Sequence, residues 1–260
     1  MELKNTLYEK TDRTATITIN RPEALNAFNK ETVEEVLHLL NDAAKDENIR
    51  VVVITGAGEK AFSAGADIKA MKDMNSLKAR ALAKRGHKLC RAIETLGKPV
   101  IAAINGYALG GGLEVSMACD FRIASDKAKM GQTEVNIGLI PGWGGTQRLP
   151  RLVGKTVAKE MIYTGKMITA QKAEQLGLVN KVVPINQLMS AVKEFASELA
   201  DKPPVALEIA KSLINRGMET DLETALTFER ESFGVVASTK DLKEGVSAFI
   251  GKRKPEFKGK

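Results

Sequence analysis

Apolar and polar positions alternate over residues 14–20 (TATITIN), the two-residue period of a half-buried strand. Over residues 31–44 the period lengthens. Val33, Val36, Leu37, Leu40 and Ala44 recur on one face and predict an amphipathic helix. Residues 51–55 (VVVIT) form a short continuous apolar run, the pattern of a buried strand. A Gly- and Ala-rich loop over residues 56–66 follows, then a helix over 77–96 and a second buried strand over 99–105 (PVIAAIN). Gly110 to Gly112 open a short helix over 113–119, and residues 121–124 read as a strand. Strands and helices joined by short connections predict an α/β fold. Beyond Pro184 the strand pattern stops, and helices are expected over 188–200, 205–216, 222–233 and 242–250, punctuated by Pro203 and Pro204. This change divides the chain into a core over residues 1–195 and a helical region over 196–260.

Composition narrows the classes. Of 260 residues, 43% are hydrophobic and 27% charged, the balance of a globular chain rather than a disordered one. No run has the length and apolarity of a membrane span, and residues 1–10 are too polar for a signal peptide, so a cytoplasmic protein is expected. Cys90 and Cys119 lack CxxC spacing and read as small buried hydrophobes. With only His38 and His87 beside them, widely spaced, no metal site is expected. The net charge of +7 suits a polyanion, whether nucleic acid, anionic lipid or a phosphorylated cofactor, and selects none of them.

Two motif matches fail on context. Gly56-Ala57-Gly58-Glu59-Lys60-Ala61 follows a strand as a dinucleotide-binding turn would. Yet it leads into a loop, and no acid stands about 20 residues further on. Gly154-Lys155-Thr156 ends like a phosphate loop, but Leu149 occupies the place of its first glycine, and a surface helix is expected to start there. No GxSxG elbow occurs.

Candidate chemistry concentrates in three segments. Residues 62–69 (FSAGADIK) and 105–114 (NGYALGGGLE) let nearly side-chain-free backbone approach a ligand. In the second segment a helix begins, and its free N–H groups favour developing negative charge. Glu114 falls in that first turn. The third segment runs from GQTE, carrying Glu134, to PGWGGTQR at residues 141–148. Taken singly, each also fits a plain structural role: a first-turn acid, a surface turn, a solvated loop carboxylate.

Together they do not. AFSAGADIK, NGYALGGGLE, ACDFRIAS, GQTEVNIGLIPGWGGTQRLPRLVG and the closing STKDLKEGVSAFIGKRKPEFKGK resemble the enoyl-CoA hydratase (crotonase) family. The match runs from NRPEALNAF to the tail, and the chain is most similar to short-chain members, the crotonyl-CoA hydratases and 3-hydroxybutyryl-CoA dehydratases. The resemblance implies a spiral of ββα turns and a C-terminal helical region that builds trimers, which pair into hexamers. It implies a lyase that adds water reversibly to a short trans-2-enoyl thioester in fatty acid or butyrate-type metabolism. Glu114 and Glu134 take the positions of the family's two hydratase glutamates, and Ala66 and Gly111 those of its oxyanion-hole N–H donors. Ala64, Ala66, Asp67, Ile68 and Lys69, with Gly111, Gly142 and Trp143, are expected along the CoA thioester and acyl chain, with Gly142 beside the catalytic water. No further cofactor is implied, because coenzyme A arrives as part of the substrate.

Two positions depart from the family pattern: Thr133 replaces a common proline, and Trp143 stands where others carry alanine or another aromatic. Isomerases, thioester hydrolases and decarboxylases of the family usually lack one of the two glutamates, so their joint presence favours hydration. RNA binding is the rival from another class, through Arg80, Lys84, Lys88 and Arg91 on one helical face. No aromatic residue interleaves that stripe to stack on bases, which argues against a nucleic-acid partner.

Overall fold

The computed structural model describes residues 2–260, apart from the side chains of Lys69 and Ala70. The strands are β1 (Thr6–Thr11), β2 (Thr14–Ile19), β3 (Val51–Gly56), β4 (Ala61–Ser63), β5 (Val100–Ile104), β6 (Tyr107–Leu109), β7 (Phe121–Ser125), β8 (Lys129–Gly131), β9 (Ile168–Thr169) and β10 (Lys181–Val183). The α-helices are α1 (Lys30–Lys45), α2 (Ser76–Glu94), α3 (Gly111–Ala118), α4 (Gly145–Val153), α5 (Lys155–Thr164), α6 (Ala170–Gln175), α7 (Leu188–Ala200), α8 (Pro204–Gly217), α9 (Leu222–Ala237) and α10 (Lys240–Ile250).

Successive strands fall in two sheets. One has the order β1-β2-β3-β5-β7-β10 and the other β4-β6-β8-β9. The chain therefore runs β3 to β4 to α2, then β5 to β6 to α3, then β7 to β8, one strand in each sheet per turn. This is the ββα spiral that the family resemblance implied. Within the larger sheet all pairs are parallel except the β1–β2 hairpin.

The centre of the large sheet, at β3 and β5, is buried on both faces, and its apolar runs there are continuous for that reason. Val52 and Ile54 of β3 belong to the core shared with α1 and α2, whereas Val51 and Val53 belong to a second core with α7. Leu188, Val192, Ala196 and Ala200 form the face that α7 lays on this second side. The division expected at 195/196 falls inside α7. The helix is one piece of the core's cover, and the chain turns away from it only at Pro203 and Pro204. Pro204, at the first position of α8, suits a helix start because that N–H has no intrahelical partner.

Helix α1 begins at an Asn29 cap whose side chain accepts from Thr32 N at 2.8 Å. Its core-facing side includes Val33, Val36, Leu40 and the half-buried Leu37 as expected, and adds Leu39 and Ala43, while Ala44 is exposed. The sequence reading missed β1, whose side chains are mostly exposed, and the three-residue strands β4, β6 and β8, too short to show a period. Helix α5 starts at Lys155, as expected for that segment. Among the described residues no helix is long and apolar enough to cross a membrane.

Candidate active site

Strand β4 and the start of α3 bring two glycine-rich turns together. Gly65 has φ +101°, and a Cβ there would lie 3.0 Å from Leu109 O and 3.2 Å from Gly111 N. Only glycine tolerates both the left-handed backbone and that approach. The loop over residues 21–28 braces the first turn. Ala64 N donates to Leu25 O at 3.0 Å, Phe28 N to Gly65 O at 2.8 Å, and Asp67 N to Phe28 O at 2.9 Å. This parallel bridge between Phe28 and Ala66 uses the groups on either side of Ala66. Strand alternation then turns the Ala66 N–H to the opposite side.

That N–H faces Gly111. A Cβ built on Gly111 would sit 3.4 Å from Ala66 N. Gly111 opens α3, so its own N–H has no carbonyl one turn earlier within the helix. Ala66 and Gly111, from segments far apart in sequence, therefore lie side by side on one cavity, with the positive end of α3 behind Gly111.

Glu114 projects from the first turn of α3 and is 1% exposed. Its Oε1 accepts from Trp143 N at 2.7 Å and from Gly145 N at 2.6 Å. Burial dominates, aided by the charge of Glu134, and pushes the carboxyl up to about 7 against the pull of those two N–H bonds. Glu134 begins a single 3-10 turn, Glu134–Ile137, and burial raises its pKa as well. Its carboxylate lies over Gly110, where a Cβ would come within 2.9 Å of Glu134 Oε1. Gln132, fully buried, has its amide 3.2 Å from both Glu134 carboxylate oxygens, and because a carboxylate only accepts, the orientation that satisfies both groups puts the amide nitrogen there as donor.

One cavity of about 350 Å³ joins these groups. Ala66, Gly111, Glu114 and Glu134 all line it, as do Ala64, Ile68, Gly142 and Trp143. The expected site residues are thus brought together, with two exceptions. Asp67 is absent from the cavity wall, and its carboxylate pairs instead with Arg21 at 3.0 Å. The Lys69 side chain lies outside the described residues. Trp143 is at once wall and core: 3% exposed, with its ring edge-on to Phe28 at 5.6 Å between centroids. Apart from Arg80 and Thr133, the rest of the wall is apolar and includes Met71, Met74 and Leu82 as well as Ile137, Leu139 and Ile140. Among the described residues no group of three or more His, Cys, Asp or Glu is placed to hold a metal ion.

The sequence reading missed Gln132 and Gly145 as partners of the acids, although both lie in the motifs it quoted. It also missed Arg21 and Asn26. Arg21 donates to Ala27 O at 2.6 Å, and the Asn26 amide donates to Ala57 O and Ala61 O, which holds the bracing loop against β3 and β4. A polar Asn-Ala pair after Arg-Pro gave no signal that it would be buried.

Comparison with known proteins agrees with this geometry. The family described as enoyl-CoA hydratase/isomerase matches residues 9–260. A short-chain-enoyl-CoA hydratase of Clostridium acetobutylicum is 51% identical over 256 residues, covering 98% of each chain. A crotonyl-CoA hydratase of Syntrophomonas wolfei is 46% identical over 257 residues, 99% of each. A solved enoyl-CoA hydratase of Bacillus anthracis superposes with a TM-score of 0.95 at 44% identity, over 99% of this chain and 100% of that one. With Glu114, Glu134 and the backbone of Ala66 and Gly111 around one cavity, in a ββα spiral matched from residue 9 to the end, the chain belongs to the enoyl-CoA hydratase/isomerase family.

Proposed function

We propose that this protein hydrates short-chain trans-2-enoyl-CoA thioesters reversibly, crotonyl-CoA foremost, in fatty acid or butyrate-type acyl-CoA metabolism. The observation that carries this reading is the convergence of Glu114, Glu134 and the Ala66 and Gly111 amides on one cavity. The thioester oxygen lies between the two amides. As water adds at C3, charge moves onto that oxygen, and each preorganised donor stabilises it by about 3 kcal/mol. Glu114, with Oε1 fixed by two N–H bonds, keeps Oε2 for the water and takes its proton. Glu134 gives a proton to C2. The sum is one water added across the double bond, and the reverse assignment performs dehydration.

This chemistry needs no resident metal or redox group, and coenzyme A enters with the substrate. The exposed apolar side chains of α8 to α10, among them Phe233 and Phe249, support assembly of the chain into a trimer or a pair of trimers. Two buried free cysteines suit the reducing cytoplasm.

The test is turnover of a chain-length series of 2-enoyl-CoA thioesters by the purified protein, with a 3-enoyl-CoA as the isomerase control. Fast hydration of crotonyl-CoA, falling with chain length and exceeding isomerisation, supports the reading. Isomerisation faster than hydration, or no hydration at all, overturns it.

A further inference from the structure

Helix α2 carries a glycine, Gly86, on its buried face beside Leu89, Cys90 and Ile93. An interior glycine costs a helix about 1 kcal/mol relative to alanine, so its presence there asks for a packing reason. Trp143 supplies one. A Cβ built on Gly86 would press on the face of the five-membered half of the indole, far inside contact distance of Cγ, Cδ1 and Cδ2. The six-membered half meets Gly111, where a Cβ would stand 3.1 Å from Cε3 and 3.2 Å from Cζ3. Phe28 closes a third side edge-on. The indole is therefore held by α2, by the start of α3 and by Phe28, and it also lines the cavity. The same residue offers its backbone N–H to Glu114 at 2.7 Å.

We propose that Gly86 is a positioning residue for the reaction: the side chain it lacks is the seat of Trp143, and that seat fixes both the N–H on Glu114 and the acyl wall of the cavity. A side chain at position 86 displaces the indole from α2 toward the cavity. The displacement narrows the acyl space and strains the hydrogen bond that orients Glu114, so a methyl group far from any substrate atom is felt at the reacting centre. The inference rests on the roles given to Glu114 and the cavity under the proposed function.

Trp143 is the protein's one tryptophan, so its fluorescence reports the seat without any turnover. In Gly86→Ala the emission should shift to the red and become more open to acrylamide quenching. Turnover of crotonyl-CoA should fall roughly tenfold in kcat, as expected for a misplaced catalytic group, and that of hexenoyl-CoA should fall further. In a Trp143→Ala background the same Gly86→Ala change should cost less than about twofold, because the partner it clashes with is gone. If Gly86→Ala alone fails to fold, the double variant should fold. Unchanged emission in Gly86→Ala, an equal loss in both backgrounds, or a double variant that also fails to fold each overturns the inference. A wild type that hydrates no enoyl-CoA sinks the proposed function, while the fluorescence result still decides the seat.

Discussion

Glu114 is the residue on which the chemistry and the stability of this fold oppose each other. Its carboxyl is raised to about 7 by burial, so charging it costs the folded state. The sign follows directly: relative to an unfolded carboxyl near its ordinary value of about 4.3, the fold keeps its full stability below that value and loses some as pH rises through 7. Glu114→Gln should therefore unfold at a higher temperature than wild type at pH 8, with the gap closing near pH 4, as scanning calorimetry would show. The same variant should lose at least about a hundredfold in hydration, the usual scale of general acid–base help, and Glu134→Gln likewise. Near-normal turnover by either variant removes that residue from the mechanism. On the proposed mechanism the active state is the singly protonated pair, and kcat/KM should trace a bell in pH with one limb near 7. A flat profile from pH 5 to 9 would contradict the pairing. Trp143→Ala should shift preference toward longer chains, each further methylene counting for about 0.8 kcal/mol at most. An unchanged ratio of octenoyl-CoA to crotonyl-CoA turnover would make the indole purely structural.

At the scale of an element, the loop over residues 21–28 braces the turn that carries Ala66. Three backbone hydrogen bonds fix its edge to residues 64–67. Arg21 joins its two ends, with one guanidinium nitrogen on Ala27 O and another on Asp67. Removing the guanidinium leaves Ala66 on a looser support, and an oxyanion donor acts only where it is already aimed. Arg21→Ala should lower kcat by roughly tenfold while KM changes little, a loss confined to the transition state. Steady-state kinetics with crotonyl-CoA checks this, and a rise in KM at constant kcat would mean that Arg21 serves binding instead. Asp67, expected against the substrate from its place in the motif, serves this brace.

For the whole molecule, α8 is tied to the core by few contacts of high consequence. Lys211 Nζ donates to Asp120 at 2.8 Å, Ile93 O at 3.0 Å and Lys98 O at 3.1 Å, and Asp120 in turn accepts from Val100 N at 2.7 Å. Lys211→Ala strands a largely buried carboxylate, a change that costs roughly 3 kcal/mol in comparable sites, and a lowered denaturation midpoint should report it. Beyond α8 the helices expose Phe233 at 77% and Phe249 at 86%, far more apolar surface than a lone chain needs. Deleting residues 204–260 should strand Asp120 and prevent assembly, giving aggregates or inactive monomers in light scattering. A soluble, active monomer would show that the helices serve neither assembly nor the site.

Burial patterns that repeat along the chain were legible from the sequence. The runs at β3 and β5 announced a sheet covered on both faces, and α1, α2 and the C-terminal helices followed from their periods. Glu114, Glu134, Ala66 and Gly111 were picked out by the joint occurrence of motifs, since no one segment would have sufficed. The period of an element is set by its own residues, so sequence determines it. What each element meets is set by its packing partners, and only the tertiary structure decided that. It put α7 on the sheet across the expected boundary, turned Asp67 to Arg21, and gave Glu114 its two N–H donors from residues 143 and 145. It also gave a reason for Gly86, a weak helix former by local preference, in the indole of a residue that sequence places far away.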